Sequence, residues 1–494
     1  MLVAIPTSNS PASRFISPSS QNSDITEEID MFNRRQFIGT LGAGSLAAMV
    51  PLKAVAATPR VIIVGGGMAG VTAAKYLRLW SGKTIDVTLV TPTTNYVSNI
   101  MSNLVVTGQM AYSSLQFTYA TLTSTYGVRV VTGTVTGVSG YGANATGTVS
   151  LSNGTKLTSE RLILAPGISV DEVPLTGTVT GQTLPVLHAW QAGVQTTALQ
   201  TLLKNIPNGG RFVLTIPPKP YRCPPGPYER ACVIADYLKR NKPGAKIHVL
   251  DANDDITAEP DNFRAAFKNY NSAGVLEYWP STSVVSVNST ATAGKDQTVT
   301  INTGTQIQNT IGINAPGQKT LFGNVMNIIP PHRAPKIVFD TGVVPTGAKF
   351  APVDVRTFES MVAGHQGIYV IGDSSDTSLP KAGHVANQEA KICANAIINT
   401  FKGLPIEPSP TANSACFSPI NSTQASWLTA VYQYKEVAAD GLTPLAANKR
   451  FVIWDDALSG SAKYAKATEA ASPSTKNFSN MGTWYKVLMN ETFS

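Results

Sequence analysis

Six residues near the start of the globular part of the chain restrict its possible folds more than any other feature. Residues 65–70 read GGGMAG, and they follow a short β-rich run and precede apolar residues at helical spacing and a second β-rich run, 86–90. Gly65, Gly67 and Gly70 occupy the three positions of a G-x-G-x-x-G turn, where backbone N–H groups can approach a pyrophosphate. This order predicts a β-α-β nucleotide-binding unit; a glycine-rich turn without a ligand is the alternative.

The residue expected to bind the adenosine ribose departs from the usual pattern. An acidic side chain usually stands about 20 residues after the first glycine, but Thr91 follows the second β-rich run here. A hydroxyl can form one hydrogen bond to the ribose but no bidentate charged pair. We therefore expect Thr91 and further groups to share this role.

Two later segments favour FAD over NAD as the dinucleotide. The run LILAPG is a strand that ends in a tight turn at Gly167, and the run GIYVIGD is a strand that ends in Gly372 and Asp373. In flavoprotein folds such a glycine lets the backbone approach the ribityl chain, and the carboxylate accepts a ribitol hydroxyl. A helical pattern at about 382–398 would direct its positive N-terminus at the flavin.

A second β-α-β unit carries a loop that is unsuited to NAD. It runs from the apolar segment 211–215 through an amphipathic segment to a second apolar run, 246–250, and six prolines crowd residues 217–227 between the first run and the helix. Proline has no N–H donor for a phosphate. Cys223 lies among these prolines, so the loop is better suited to presenting a thiol, and an NADH-dependent reductase is disfavoured.

Two charged neighbours give Cys223 a possible chemical role. Arg222 could lower the pKa of the thiol, and Glu229 could accept a proton. The alternative for Glu229 and Arg230 is a solvated helix start, where an acid is favoured by the helix dipole.

The N-terminal residues predict export. Arg34 and Arg35 form a twin-arginine pair, followed by the weakly apolar run 39–50 and an A-x-A site ending at Ala56. This pattern indicates a Tat signal and a periplasmic location. Met31 could be the true start of translation. No later stretch reaches the ~18 apolar residues of a spanning helix, so we predict no transmembrane segment.

Composition excludes several function classes. The 494 residues carry a net charge of +8, which could attract an acidic partner, but no basic run with interleaved aromatic residues indicates nucleic acid. The five histidines are isolated and no metal-ligand spacing occurs, so we predict no metal site. Four cysteines are too few and too scattered for a disulfide scaffold, and no C-x-x-C-H motif would attach a haem.

From Arg60 to the C-terminus the chain resembles the flavoprotein subunit of flavocytochrome c sulfide dehydrogenase. That family oxidises sulfide at a flavin and passes the electrons to a separate cytochrome c subunit. The motifs that carry the resemblance are LPVLHAWQAG at 184–193, YRCPPGPYERA at 221–231, NIIPPHRA at 327–334, PVDVRTFES at 352–360, the segment from Gly372-Asp373 to Pro380-Lys381, Trp484-Tyr485 and Thr492-Phe493.

The resemblance implies a fold class and a domain order. The class is α/β, with two Rossmann-like domains as in glutathione reductase and a C-terminal α+β interface domain that would contact the cytochrome. The predicted parts are the signal and extension (1–56), the FAD-binding domain (57–169 and 303–400), the second Rossmann-like domain (170–302) and the interface domain (401–494).

The chain departs from the family at the residues of the chemistry. The cysteine that tethers the family's flavin is matched by Asn99, so the resemblance implies FAD bound non-covalently. We expect Asn99 and Lys381 to lie among the cofactor-binding residues. The family also uses a redox disulfide; its first cysteine matches Cys223, and we match its second to Ala351. Three outcomes stay open for Cys223: it bridges to Cys416 or Cys393, although both of these are expected in structural places; it acts alone; or it is vestigial.

The leading hypothesis is a periplasmic FAD oxidoreductase that takes electrons from sulfide or another reduced sulfur compound and gives them to a cytochrome c. One alternative is a divergent electron-transfer or scaffold subunit without sulfide chemistry. Another is a sulfide:quinone-type enzyme, which would need an apolar amphipathic C-terminal segment, whereas residues 476–494 are polar and broken.

Overall fold

A computed structural model describes residues 58–173, 175–176, 187–288, 297–304, 316–436, 449–453 and 468–494. The predicted export signal lies outside these residues. The first described part forms the β-α-β unit that the glycine motif predicted, followed by a small antiparallel sheet. Its elements are β1 Arg60–Val64, α1 Met68–Trp80, β2 Asp86–Thr91, β3 Asn95–Val97, α2 Ser102–Val106, β4 Gln116–Thr118, α3 Ala120–Ser124, β5 Arg129–Thr132, β6 Val135–Ser139, β7 Gly147–Leu151, β8 Lys156–Ser159, β9 Arg161–Leu164 and β10 Ser169–Val170.

The second described part forms a further α/β unit with an antiparallel sheet attached. Four parallel strands in the order β14-β13-β12-β18 form its main sheet, and β11-β15-β16-β17 form the other. The elements are β11 Leu175–Thr176, α4 Val194–Asn205, β12 Arg211–Ile216, α5 Gly226–Asn241, β13 Lys246–Asp251, α6 Pro260–Ser272, β14 Leu276–Trp279, β15 Thr282–Asn288, β16 Gln297–Thr303, β17 Gly317–Gly323 and β18 Val325–Asn327.

The chain then completes the first sheet. Its eight strands have the order β23-β20-β21-β22-β9-β1-β2-β5, with parallel pairing from β22 to β5. The apolar runs of β1 and β9 are almost wholly buried, as expected for parallel strands that are covered on both faces. The added elements are β19 His332–Arg333, α7 Lys336–Asp340, β20 Ala351–Asp354, β21 Glu359–Ser360, β22 Ile368–Val370, β23 Ser375–Asp376 and α8 Gly383–Lys402.

One predicted domain boundary is wrong. We placed the return to the first domain at residue 303, but β17 still pairs with β16, and β18 pairs in parallel with β12. The second domain therefore extends to about Asn327. The sequence at Val325–Asn327 is a strand in either assignment, and only the pairing decides which sheet receives it.

The C-terminal part consists of an antiparallel sheet and one long helix. Its elements are β24 Thr411–Pro419, β25 Ala425–Glu436, β26 Lys449–Ile453, β27 Thr468–Glu469 and α9 Thr475–Phe493. Our prediction of a broken segment at 476–494 is wrong, since α9 is continuous and Ser474 caps it by accepting the Asn477 N–H at 3.1 Å. Its apolar side, with Tyr485 and Met489, is buried. Among the described helices, none has the length and apolarity to cross a membrane.

Two glycines let α1 approach the sheet closely. Gly65 has φ +117°, and a Cβ atom there would lie 2.2 Å from the carbonyl oxygen of Ala165 on the neighbouring strand. A Cβ atom at Gly70 would lie 1.9 Å from the carbonyl oxygen of Gly65. Because both obstacles are backbone atoms, no side-chain rotation can relieve the overlap.

We expect Gly70→Ala to prevent the close packing of α1 on β1 and to reduce the yield of folded protein or lower its thermal midpoint strongly. Gly482→Ala is the control, since a Cβ atom within α9 would meet nothing within 4 Å; helix propensity alone should then stabilise the protein by up to about 1 kcal/mol. The measurement is a thermal unfolding scan of both variants. Equal midpoints for Gly70→Ala and the wild type would contradict the packing argument.

Candidate functional site

A cavity of about 520 Å³ brings together most of the residues that the sequence indicated. It lies at the carboxyl ends of the strands of the first sheet, where ligands bind in open α/β folds. Walls come from the first domain, the Cys223 loop and the C-terminal part of the chain. The predicted residues that line the cavity are Gly65, Gly67, Thr91, Asn99, Gly167, Arg222, Cys223, Glu229, Gly372 and Asp373.

Two predicted cofactor-binding residues do not line this cavity. Gly70 lies behind the turn and provides the close packing described above. Lys381 is buried beside the cavity, where its Nζ donates to the carbonyl of Ser375 at 2.7 Å. The carbonyl of Lys381 accepts the N–H of Cys223 at 2.6 Å. Lys381 therefore positions the loop that carries the thiol.

The glycine turn forms a cradle at the N-terminus of α1. A Cβ atom at Gly67 would meet only Tyr96 Cε2, at 3.8 Å, so the turn is open towards the cavity. Gly66 packs on the side chains of Thr91 and Tyr119, and Tyr119 Oη donates to the Gly66 carbonyl at 3.0 Å. Thr91 is buried at the end of β2 and lines the cavity. No sequence pattern indicates Tyr119.

Asp373 and Arg222 form the polar end of the cavity. Their closest atoms, Arg222 Nη1 and Asp373 Oδ2, are 4.0 Å apart. Asp373 Oδ1 and Arg222 Nη2 are both buried without a hydrogen-bond partner among the described residues. Burial raises the pKa of Asp373, while Arg222 and Lys381 oppose this shift. An unpaired buried acceptor beside an unpaired donor fits a ligand that carries hydroxyl and phosphate groups.

The Cys223 loop is held in a strained conformation. Cys223 has φ +59°, in the left-handed region that non-glycine residues rarely adopt, and Met101 and Ala189 of the same cavity wall share this feature. A Cβ atom at Gly226 would lie 2.8 Å from Cys223 Sγ and 2.9 Å from the Trp190 ring. Such strain persists where the surrounding structure fixes it, and it is common at functional sites.

Arg222 lowers the pKa of this thiol, as we expected, but burial has the larger effect. Burial raises the pKa of Cys223 well above its usual range, Cys416 and Glu229 raise it further, and Arg222 lowers it without offsetting the burial. Cys223 is therefore a thiol rather than a thiolate at neutral pH. Its reactivity depends on a proton acceptor or on oxidation.

A second thiol faces the same cavity. Cys416 lies on β24 and lines the cavity together with Cys223, and its charge would raise the pKa of Cys223. Ala351, which we matched to the family's second cysteine, is wholly buried on β20 and does not line the cavity. The expectation of a purely structural place for Cys416 is therefore wrong, whereas Cys393 is wholly buried inside α8. All four thiols are free in this structure.

Glu229 and Arg230 are not a solvated helix start. Glu229 is only 9% exposed and accepts a hydrogen bond from Asn103 Nδ2 at 2.8 Å, and Arg230 is 1% exposed. Burial raises the pKa of Glu229 to about 8. A carboxyl group in this state can donate or accept a proton near neutral pH. Asn103 was not predicted from the sequence, because an isolated asparagine in a short helix carries no distinguishing pattern.

Family models identify the first two parts of the chain. The model for pyridine nucleotide-disulphide oxidoreductases matches residues 59–203, and the model for the central part of the sulfide dehydrogenase [flavocytochrome c] flavoprotein chain matches residues 196–330. A curated sulfide dehydrogenase flavoprotein chain from Chlorobaculum thiosulfatiphilum is 50% identical over 48 residues, which are 10% of this chain and 98% of that sequence. The chain belongs to this flavoprotein family.

Solved structures of related proteins agree on the fold. The sulfide:quinone oxidoreductase of Aquifex aeolicus matches with a TM-score of 0.62 at 15% identity, over 88% of this chain and 91% of that one. The NAD-dependent persulfide reductase of A. fulgidus matches with a TM-score of 0.51 at 15% identity, over 76% and 71% of the two chains. These similarities show two Rossmann-like domains and nothing about the reaction.

The family implies FAD, and the residues of this flavoprotein chain fit that cofactor. The open Gly67 turn at the start of a 13-residue helix suits a pyrophosphate, and the unpaired atoms of Asp373 and Arg222 suit the polar groups of a ribityl phosphate. Asn99 lines the cavity at the position that we matched to the tethering cysteine. Its Oδ1 accepts the N–H of Ala192 at 2.5 Å.

Among the described residues of the second domain, the end of β13 is unsuited to NAD. Asp251 ends β13, where an NAD-binding unit carries the acid that contacts the ribose. Here Asp251 is 0% exposed, and its Oδ2 accepts hydrogen bonds from Tyr228 Oη at 2.7 Å and Tyr278 Oη at 2.9 Å. The hydroxyl groups of these tyrosines bind the carboxylate where a ribose would bind it in an NAD-binding unit. The proline-filled loop disfavours NAD for a separate reason.

The raised pKa of Glu229 gives a prediction for stability. Its ordinary pKa of 4.5 rises to about 8 on folding, so its contribution to stability is full below about pH 4.5 and is lost as the pH rises through 8. We expect Glu229→Gln to have nearly the wild-type thermal midpoint at pH 5 and a midpoint several degrees above it at pH 9. The exposed Glu407→Gln should show no such dependence. A shift of Glu229→Gln that is equal at both pH values would contradict the buried, protonated carboxyl.

Proposed function

We propose that this chain is an FAD-dependent oxidoreductase that oxidises sulfide, or another reduced sulfur compound, at a Cys223–Cys416 pair and passes the electrons to a cytochrome c. The observation that carries the proposal is the shared cavity, which both thiols line together with the predicted cofactor cradle. The alanine at position 351, which we matched to the family's second cysteine, does not prevent a disulfide, because Cys416 would supply the second sulfur. The family adds support for a flavoprotein with sulfur chemistry.

The chemistry begins with the oxidised pair. A hydrosulfide attacks one sulfur of the disulfide, forming a persulfide on that cysteine and releasing the other cysteine as a thiolate. FAD, when bound, supplies the two-electron acceptor for the reduced sulfur. Glu229 is within the same cavity wall and can exchange protons with substrate and thiol because burial brings its pKa to about 8. Arg222 and Asp373 would hold the polar part of the cofactor.

The redox partner and the location belong to the same proposal. A chain of this family would give its electrons to a cytochrome c, and the twin-arginine signal at Arg34 and Arg35 would export it to the periplasm. The paired thiols favour an active enzyme over a scaffold subunit. The burial of the apolar side of α9 disfavours a quinone-type enzyme, since that side packs on the protein.

The thiol pair can be tested by anaerobic titration of the FAD-loaded protein with sulfide, following the bleaching of the visible flavin band. We expect Cys223→Ser and Cys416→Ser each to slow bleaching at least about 100-fold, because neither leaves a sulfur pair for attack. Cys393→Ala, a buried thiol remote from the cavity wall, is the matched control and should bleach at the wild-type rate. Normal bleaching by Cys416→Ser would refute the pair, and a wild-type protein that dithionite reduces but sulfide does not would refute the sulfide assignment.

The mode of flavin attachment can be tested by acid precipitation. An amide at Asn99 cannot form the thioether of a tethered flavin, so we expect the flavin to appear in the supernatant in a 1:1 ratio to protein. The control is tryptic digestion followed by flavin fluorescence of the peptides. A fluorescent peptide containing Cys223 or Cys416 would contradict non-covalent binding.

A further inference from the structure

Glu259 is a buried acid in an unfavourable backbone conformation. It precedes α6, has φ +49° and is 1% exposed. A left-handed non-glycine residue and a buried carboxyl group each cost free energy. Because both features occur at Glu259, the surrounding structure must hold this residue in place. Glu259 has no part in the reaction proposed above.

The carboxyl group of Glu259 contacts the strand that carries Cys416. Ser418 Oγ donates to Glu259 Oε1 at 2.6 Å. Because Ser418 follows Cys416 by two residues on β24, both side chains project from the same face of that strand. Ser418 also pairs directly with Ser426 on β25. Glu259 Oε2 and Ser426 Oγ are buried without a hydrogen-bond partner of ordinary geometry among the described residues.

The charges around this carboxyl group are of one sign. Burial raises the pKa of Glu259 to about 7, Ser418 and Ser426 oppose the shift, and Glu469 of β27 raises it further. Glu259 in turn raises the pKa values of Glu229 and Cys232 on α5. No lysine or arginine forms an ion pair with Glu259 within the described ranges.

Glu259 also acts on the thiol itself. Burial raises the pKa of Cys416 to about 12, and the next largest cause is the charge of Glu259; Ser414 opposes the shift, and Glu229 adds to it. A thiolate at Cys416 is therefore strongly disfavoured while Glu259 is ionised. A neutral Glu259 removes that repulsion and holds a proton near the sulfur.

We propose that Glu259 controls the protonation of Cys416 as the Cys223–Cys416 bridge opens and closes. The proposal rests on the thiol pair of the proposed function. When hydrosulfide attacks Cys223, a new S–S bond forms there, the old one breaks, and its electron pair leaves with Cys416. The Glu259 carboxylic acid then supplies the proton that converts this thiolate to a thiol and becomes a carboxylate; bridge closure returns the proton.

The test is the pH profile of Cys416 alkylation. The full-length holoenzyme is reduced, treated with iodoacetamide from pH 5.5 to 9.5, and the rate at Cys416 is measured by peptide mass spectrometry. We expect the wild-type profile to deviate from a single thiol titration near neutral pH, where Glu259 ionises. Glu259→Gln should remove the larger part of that deviation, leaving the smaller effect of Glu229, and should raise the rate at pH 8 to 9 by roughly 3-fold or more, since the nearer opposing charge is gone.

Two further variants make the outcome decisive. Glu277→Gln changes a carboxyl that pairs with Lys246 and His248 on the second domain and should keep the wild-type profile. Ser418→Ala removes a hydrogen bond that favours ionised Glu259 and should move the deviation to higher pH; it also provides the test if Glu259→Gln fails to fold. A wild-type profile in Glu259→Gln or Ser418→Ala would overturn the inference.

Because alkylation needs no sulfide, the proposed function and the inference about Glu259 can be refuted independently. Altered profiles in a protein that sulfide cannot reduce would overturn the proposed function and leave the control of Cys416 by Glu259 intact. Unchanged profiles in a protein that sulfide reduces normally would overturn the inference alone.

Discussion

The buried guanidinium of Arg230 connects the parts of the chain on which the cavity depends. Its Nε donates to Asn103 Oδ1 at 2.8 Å, its Nη atoms donate to the carbonyls of His188 and Ala189, and Nη1 also reaches Asn327 Oδ1 at 2.9 Å. These partners belong to the first domain, to the segment before α4 and to β18. A buried charge must have its hydrogen bonds satisfied, so the three segments are held in one arrangement.

The same interaction supports the thiol. The guanidinium carbon of Arg230 lies 4.6 Å from the centre of the Trp190 ring, and that ring packs against Gly226 beside Cys223. Trp190 Nε1 also donates to the carbonyl of Arg222 at 3.1 Å. The left-handed conformation of Cys223 is thus fixed from several sides. Burial lowers the pKa of Arg230 to about 9, so it remains charged at neutral pH.

The low polarity of the cavity and of its surroundings explains how the thiols and the two buried acids, Glu229 and Glu259, can work together. Burial disfavours every charged form, so the pKa values of Glu229, Glu259 and Cys416 all rise. The two carboxyl groups come to titrate near neutral pH, where a hydrosulfide reaction would have to exchange protons. Exposed glutamates would instead carry a fixed negative charge at that pH. The proposed chemistry therefore needs the enclosed cavity as much as it needs the sulfur atoms.

Local patterns predicted the parts of this protein that depend on short-range rules. The glycine turn, the strands that end at Gly167 and Gly372, and the helix after Ala382 follow from backbone sterics and apolar periodicity, and the structure contains all of them. The placement of Val325–Asn327 in the second sheet could not be predicted in this way. Strand pairing is a long-range choice, and the segment is equally apolar in either sheet.

The sequence by itself determined the α/β class, the dinucleotide cradle and the unusual Cys223 loop, because glycine and proline act on the backbone wherever they stand. Only the tertiary structure decided which thiol lines the same cavity as Cys223 and which acids are buried. Cys416 is 193 residues from Cys223 along the chain, and no local sequence pattern indicates that two residues so far apart line one cavity. Burial and proximity are properties of the packed molecule, and they set the pKa values on which the site depends.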